Sequence, residues 1–167
     1  MVEIVAGQVS LEYKDAGTKS AMADLRRLAQ ETKTALDLGH DLAGQIQAAL
    51  SSFSTSVTFP TTPQGGFLRD ASVLIEGGFE TRIFYTGFSG FDLHGAQGAG
   101  VGAHATLLTR LDDAVGAFVQ DLKNRGLWST TRIVIHSEFG RRNYENASAG
   151  TDHGHGNAFL VLGGGLQ

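Results

Sequence analysis

Two short apolar runs, TRIVIH at residues 131–136 and AFLVL at residues 158–162, constrain the fold of this chain more than any other feature. Both runs are continuous rather than alternating, which is typical of strands buried on two faces in a parallel sheet. Residues 81–88 have the β-branched and aromatic composition of a further strand. The order of elements is helix, strand, helix, strand, loop, strand, and it predicts an α/β fold with a parallel sheet.

Three segments carry the apolar spacing of amphipathic helices. The clearest covers residues 104–122 and ends at Gly126, where a left-handed cap would fit. Another covers residues 20–50, either as one long helix or as a helical pair with a break at Gly39. A shorter helix is predicted at residues 67–76, after an irregular loop that contains both prolines of the chain.

Composition excludes several kinds of site and partner. The chain of 167 residues has no cysteine, so a metal ion would need nitrogen and oxygen ligands. The net charge is −4 and no basic run exceeds a pair, which makes nucleic acid an unexpected partner. No stretch approaches the roughly 20 apolar residues of a membrane span, and no export signal is recognisable.

Three polar clusters follow, or lie between, the predicted strands: FDLHG at residues 91–95, SEFGRRNYEN at 137–146 and GTDHGHG at 150–156. Ligands of open parallel sheets bind outside the carboxyl ends of the strands. We therefore expect the three clusters to meet in one crevice.

The clusters contain residue types that bind metal ions. Their candidate ligands are Asp92, His94, Glu138, Asp152, His153 and His155. Carboxylates and imidazoles suit Zn²⁺, Mn²⁺ or Fe²⁺, and the carboxylates could hold Mg²⁺ or Ca²⁺. Taken one at a time, each cluster also has a simpler interpretation: a turn cap, a surface Glu–Arg pair, or a solvated loop rich in turn-forming residues.

Arginines and other histidines complete the set of polar candidates. A turn at Gly140 would bring Arg141 or Arg142 over Glu138, where a planar guanidinium matches phosphate or sulfate oxygens. His104 and His136 fit packing positions better than ligand positions. A nucleophile elbow, a P-loop and a dinucleotide fingerprint are all absent from the sequence.

Four motifs carry a family resemblance: SGFDLHGAQ at 89–97, the leucine-rich helix that follows it, SEFGRR at 137–142, and GTDHG at 150–154 before the glycines at 163–165. In this order and spacing the chain resembles a large uncharacterised bacterial family. Its members are commonly described as twin-arginine-exported, sulfatase-like proteins of unknown function and are grouped with the alkaline phosphatase superfamily. The resemblance covers residues 66–165, and the N-terminal third resembles the family more loosely.

The resemblance implies a three-layer, mostly parallel sheet flanked by helices. It also implies a pair of divalent metal ions, usually zinc, and hydrolysis of phosphate or sulfate esters or transfer of the phosphate or sulfate group. In this chain Asp92 and His94 would be ligands from one loop, Glu138 would be the acidic ligand after the next strand, and Asp152 with His153 would complete the site. Arg141 would contact the substrate oxyanion, and His155 would be an outer or alternative ligand.

These inferences lead to two hypotheses about function, beside the simpler interpretation of a soluble α/β domain whose polar loops have no binding role. The first is a metal-dependent phosphatase or sulfatase-like hydrolase acting on small anionic esters. The second is a non-catalytic metal-binding or carbohydrate-binding relative, because no Gly-Gly-Asn-Asp-Gly-like segment, from which the superfamily's nucleophile normally comes, is found here. We expect residues 1–167 to form a single α/β domain that is a fragment of a larger one. The resemblance implies a periplasmic or secreted location. From the sequence alone, which has no recognisable export signal, we expect a cytoplasmic location.

Overall fold

The computed structural model describes residues 2–5, 8–11 and 16–165 of the chain, with side chains from Lys19 onward. Its elements are β1 (Val2–Val5), β2 (Gln8–Leu11), α1 (Ala16–Ser52), α2 (Pro63–Glu76), α3 (Ala103–Asn124), a 3₁₀ turn (Trp128–Thr130), β3 (Arg132–His136), β4 (Gly140–Arg141), β5 (His153–Gly154) and β6 (Phe159–Gly163). They divide into two compact units, Met1–Ala48 and Ala49–Gln167.

The expectation of one domain over residues 1–167 stays a prediction. Within the described ranges, no helix has the length and apolarity needed to cross a membrane.

The first unit contains a hairpin and most of α1. Strands β1 and β2 pair antiparallel, with Val2 opposite Leu11. The long helix predicted at residues 20–50 is confirmed, and it runs through Gly39 without a break. A single glycine in a helix costs only about 1 kcal/mol relative to alanine. The helix-forming residues on both sides of Gly39 are enough to offset this cost.

The second unit is built on α2 and α3. Helix α2 begins earlier than predicted because Pro63 suits the first helical position and the Thr62 hydroxyl accepts a hydrogen bond from Gly65 N at 3.1 Å. The prediction for α3 is confirmed. Gly126 adopts a left-handed φ of 72°, and Leu127 N donates to Leu122 O at 2.8 Å, which closes the helix end.

The apolar core of the second unit lies between these two helices. Ala71 of α2 packs with Phe118 and Leu122 of α3, and all three are buried. The half-buried side chains that pack around them are Phe59, Leu68, Ile75, Phe84, Leu127, Trp128 and Ile133. The core therefore draws on both helices, on the loop before α2 and on strand β3.

A buried carboxylate joins the same two helices. Asp121 is only 1% exposed and accepts hydrogen bonds from the hydroxyls of Thr55 and Ser72 and from Arg125 Nε at 2.8 Å. Arg125 also pairs with Glu76 at the end of α2. Burial would raise the pKa of the Asp121 carboxyl, but the hydrogen bonds from Arg125, Ser72 and Thr55 outweigh it, so this pKa lies below its usual value.

The prediction of a three-layer, mostly parallel sheet is wrong. The described strands form three separate two-stranded antiparallel sheets, β1–β2, β3–β6 and β4–β5. Strand β3 pairs antiparallel with β6, with Val134 opposite Val161, and the segment between the two strands contains no helix. Parallel pairing needs a crossover connection, usually a helix, whereas this segment turns back through the small β4–β5 hairpin. The two apolar runs are indeed strands, but their outward side chains, including Val134 and Phe159, are exposed.

Residues 81–88 do not form the predicted strand. The segment is irregular, yet exposure alternates along it: Phe84 is half-buried against the core while Ile83 and Tyr85 are exposed. Its composition thus produces an inward and an outward face. No described strand forms ladder hydrogen bonds with this segment, and strand formation requires them.

We expect Asp121→Asn to lower the free energy of unfolding by about 1.5–3 kcal/mol, because the hydroxyl and guanidinium donors around it lose an anionic acceptor. Urea denaturation of wild type and variant measures the difference. Asp113→Asn, on the exposed part of α3, is the matched control and should stay within about 0.5 kcal/mol of wild type.

The pH dependence of that difference follows from the lowered pKa of Asp121. The carboxylate contributes its full stabilisation above about pH 4, the ordinary pKa in the unfolded chain, and loses it as the pH falls through the lower folded value. A wild-type advantage that did not shrink on acidification below pH ~4 would contradict this assignment.

Candidate metal centre

The candidate site lies where residues 91–97 meet the β4–β5 hairpin. The first segment is irregular and precedes α3. In the hairpin, Arg141 of β4 lies directly opposite His153 of β5. Both of these side chains reach Asp92, so the hairpin register places an arginine and a histidine on the same carboxylate.

Three ligand atoms converge at this point. One atom each from Asp92, His94 and His153 lies within 4.8 Å of the other two. Asp92 Oδ1 lies 2.9 Å from His94 Nε2 and 3.0 Å from His153 Nε2. All three side chains are about half exposed, so the cluster is open to solvent and to small solutes.

Contacts on the side away from the converging atoms orient both imidazole rings. His94 Nδ1 lies 3.4 Å from Asp152 Oδ1, and Asn146 Nδ2 donates to the same oxygen at 2.9 Å. The His153 ring stacks on Phe139, with 3.8 Å between ring centroids and 23° between ring planes. A carboxylate on Nδ1 favours the tautomer that leaves Nε2 free as a ligand, which is the usual arrangement behind metal-binding histidines.

Each nitrogen of the Arg141 guanidinium donates a hydrogen bond within the site. Its Nη1 donates to Asp92, its Nε donates to Thr151 Oγ1 at 3.1 Å, and its Nη2 donates to the Thr151 carbonyl oxygen. Thr151 Oγ1 in turn donates to Gln97 Oε1 at 2.9 Å. Arg141 is also only 20% exposed, and its three bonds connect the loops of the site.

Both carboxylates of the site are held in the anionic form. The hydrogen bond from His153, partly opposed by desolvation and supported by Arg141, lowers the pKa of Asp92. Hydrogen bonds from Asn146 and His94 lower the pKa of Asp152. Deprotonated carboxylates at neutral pH are the form that binds a cation.

The two loops meet backbone to backbone. Asn146 Nδ2 donates to His94 O at 2.9 Å, and Thr151 N donates to Leu93 O at 3.2 Å. Gly150 touches the chain at His94 so closely that a Cβ on it would lie 2.3 Å from the His94 carbonyl carbon. This close approach keeps His94 beside the GTDHGHG loop.

Two alanines beside this contact adopt an unusual backbone conformation. Ala96 has a φ of 46° and Ala149 a φ of 56°, both in the left-handed region. Each is fixed by a hydrogen bond across the contact: Ala96 N donates to Ser148 O at 2.9 Å, and Gln97 N donates to Ala149 O at 2.8 Å. Strained residues of this kind cluster where surrounding structure holds a functional site in place.

The sequence-predicted ligands occupy two kinds of position. Asp92, His94 and His153 come together, and Asp152 lies behind His94 rather than among the converging atoms. Glu138 and His155 are exposed, and neither side chain makes a hydrogen bond or ion pair with a described residue. Their ligand roles stay predictions.

Sequence reasoning missed the residues that assemble the site: Asn146, Gly150, Thr151, Gln97 and Phe139. Asn146 is the most consequential, since its side chain donates to both loops and accepts from Ser148 N at 2.9 Å and Gly150 N at 3.1 Å. The sequence does contain a hint of this role, because Asn146 lies in a turn-rich segment close to glycines. Asparagine side chains in such segments commonly form hydrogen bonds with nearby backbone groups.

The donor set fits a transition-metal ion better than a hard cation. Two imidazole nitrogens and one carboxylate oxygen are a common set for catalytic zinc, which keeps a fourth position for water or substrate. Mg²⁺ and Ca²⁺ prefer shells made of oxygen, which this cluster does not provide. Mn²⁺ and Fe²⁺ also accept such mixed ligands.

We expect Gly150→Ala to lower the free energy of unfolding by about 1–3 kcal/mol, as overpacking does, because the two loops must separate to admit the methyl group. Thermal or urea denaturation measures the loss. Gly100→Ala is the control, because a Cβ there meets nothing within 4 Å. Equal stability of the two variants would refute the close approach at Gly150.

Comparison with known proteins identifies a family but no characterised relative. A family model described as "Protein of unknown function (DUF1501)" matches residues 6–167. No curated protein matches the chain. No solved structure matches it either.

Proposed function

The chain belongs to the DUF1501 family, and we propose that it binds a divalent transition-metal ion, Zn²⁺ above others, and hydrolyses phosphate or sulfate esters with it. One observation carries the proposal: ligand atoms of Asp92, His94 and His153 lie within 4.8 Å of one another. They come from two loops far apart in sequence, whose backbones are bonded together at this point. The sulfatase-like resemblance of the motifs supplies the reaction class.

Three protein ligands suit one catalytic ion with an open position. When bound, such an ion supplies Lewis acidity, which activates water and polarises an ester oxygen. Asp92, His94 and His153 would hold the ion, and Asp152 would keep the His94 ring oriented through Nδ1. The stacked Phe139 fixes the plane of the His153 ring. The half-exposed cluster lets a small ester approach from solvent.

Arg142 is better placed than Arg141 to bind the ester anion. The Arg141 nitrogens already bond Asp92 and Thr151, as described above. Arg142 is 48% exposed, its Nη1 is bonded to the Tyr144 hydroxyl at 3.0 Å, and it lies 3.7 Å from Asp152 Oδ2. We assign Arg141 a positioning role and Arg142 the contact with phosphate or sulfate oxygens.

A non-catalytic metal-binding protein is the second candidate, and one observation favours it. A covalent mechanism would need a nucleophile beside the cluster. The Thr151 hydroxyl, which belongs to the described hydrogen-bond network of the site, accepts from Arg141 Nε and donates to Gln97 Oε1. It is therefore not poised as a nucleophile, and hydrolysis would depend on water. The periplasmic or secreted location implied by the resemblance stays a prediction beside both candidates.

We expect metal-free protein at about pH 7.5 to take up Zn²⁺ with a stoichiometry of about one. His153→Ala should weaken binding by more than about tenfold, because even the loss of a residue behind a ligand costs about 10–100-fold. Isothermal titration calorimetry gives both quantities. The matched control is His155→Ala, two residues away and outside the cluster, which should bind like wild type.

Two results would overturn the metal proposal. One is the absence of Zn²⁺ and Mn²⁺ uptake by folded wild-type protein. The other is a His155→Ala variant that loses affinity as strongly as His153→Ala, since binding would then belong to exposed loop histidines and not to the cluster.

We expect the zinc-loaded protein to hydrolyse an aryl phosphate or an aryl sulfate, and His153→Ala to abolish this activity. Arg142→Gln should raise KM roughly tenfold with a smaller change in kcat, because it removes a charged contact with the substrate anion. Steady-state assays with both esters measure these effects. Zinc-loaded wild type that hydrolyses neither ester supports the non-catalytic candidate, and activity retained by His153→Ala excludes the proposed site.

A further inference from the structure

One carboxylate oxygen of Asp92 is the meeting point of three side chains. Its Oδ1 lies 2.9 Å from His94 Nε2 and 3.0 Å from His153 Nε2, and it accepts a hydrogen bond from Arg141 Nη1. An arginine side chain keeps its positive charge at any pH at which proteins are studied. A divalent ion bound by Asp92 and the guanidinium of Arg141 would therefore be two cations on one carboxylate.

Contacts other than the one with Asp92 hold Arg141 in place. Its Nε and Nη2 donate to the hydroxyl and to the carbonyl oxygen of Thr151. Its backbone N–H donates to Gly156 O at 2.6 Å, and its carbonyl oxygen accepts from Gly156 N at 2.9 Å. None of these bonds involves Asp92, so we expect the guanidinium to stay beside the carboxylate when an ion binds.

The acidic and basic side chains of the site cancel in pairs. Asp92 is paired with Arg141, and Asp152 Oδ2 lies 3.7 Å from Arg142 Nη1. Histidine binds metal ions in its neutral form, so the imidazole ligands add no negative charge. Among the three converging residues only Asp92 attracts a cation by its charge, and the guanidinium opposes that attraction. Arg141 is only 20% exposed, so solvent screens this opposition less than at an open surface.

We propose that Arg141 lowers the affinity of the candidate metal centre for a divalent cation and so makes the bound ion exchangeable. The inference rests on the proposed metal-binding function and assigns its regulation to one residue. Arg141 positions the loops and at the same time limits how tightly they hold an ion.

Two effects of Arg141 act in the opposite direction, and both are small. Its hydrogen bond helps to lower the pKa of Asp92, but an ordinary aspartate, with a pKa of about 4, is already ionised at neutral pH. It also joins the two loops. Those loops have other connections, because Asn146 Nδ2 donates to His94 O and Thr151 N donates to Leu93 O. The charge of Arg141 should therefore outweigh both effects.

Isothermal titration calorimetry with Zn²⁺ at about pH 7.5 tests the proposal. Arg141→Gln should bind Zn²⁺ about tenfold more tightly than wild type, because a unit charge roughly 5 Å from a divalent ion opposes its binding by about that factor even in a water-like dielectric. Arg141→Lys keeps the charge without the planar fork, and it should bind no more tightly than wild type. The matched control is Arg110→Gln, at an exposed arginine of α3, which should bind like wild type.

Two further measurements complete the test. Transfer of the bound zinc to a chromophoric chelator should be slower from Arg141→Gln than from wild type, since the ion would be less exchangeable. The other measurement uses wild type alone and so does not depend on the folding of a variant. Between about 0.05 and about 0.5 M sodium nitrate, its zinc affinity should change by less than about threefold, because salt screens the attraction to Asp92 and the repulsion from Arg141 together.

The outcomes separate this inference from the proposed function. Equal or weaker zinc binding by Arg141→Gln overturns the inference and leaves the metal proposal standing. So does an Arg141→Lys variant that gains as much affinity as Arg141→Gln, because the gain would then come from lost hydrogen bonds and not from charge. A wild-type affinity that falls steeply with salt also overturns it. Failure of both wild type and Arg141→Gln to take up Zn²⁺ or Mn²⁺ overturns the proposed function itself.

Discussion

The buried carboxylate of Asp121 is the interaction on which the second unit depends. A charge removed from water must be paired and hydrogen-bonded. Asp121 accepts from Thr55 in the segment after α1, from Ser72 of α2 and from Arg125, which follows the last residue of α3. Those donors fix the place of α3. The first turn of α3 receives the site loop, since His104 N donates to Gln97 O at 3.1 Å. The packing of α2 against α3 therefore also helps to position the loop that contains Asp92 and His94.

The candidate metal centre is built from an irregular loop and a small hairpin, and side chains that are not among the three converging residues hold it together. Asn146 joins the two loops, and Arg141 joins the hairpin to both. Gly150 lets the backbones approach more closely than any side chain would permit. A binding site made this way is exposed enough for a small solute to enter, yet its ligands are oriented before anything binds.

Periodicity in the sequence was sufficient to predict the helices. The apolar spacing of residues 104–122 and the glycine at 126 predicted both the helix and its cap, because these signals act within one element. Strand pairing was not predictable in the same way. The runs at β3 and β6 read as strands buried on two faces, but which strand lies beside which depends on the intervening chain. Continuous apolar character cannot distinguish parallel from antiparallel pairing.

The site was partly predictable, for a related reason. Asp92, His94 and His153 stood out because acid and imidazole side chains between glycines are unusual. Glu138 and His155 have the same chemistry, and only the folded chain shows that they lie outside the group formed by Asp92, His94 and His153. Asn146 was overlooked because its importance comes from four hydrogen bonds that exist only in the folded chain.

Nitrogen-15 NMR of the six histidine side chains during addition of Zn²⁺ shows which imidazoles bind the ion. We expect the Nε2 resonances of His94 and His153 to shift together and to saturate near one equivalent, while those of His155 stay in place. Shifts confined to His155, or spread evenly over exposed histidines, would contradict this expectation.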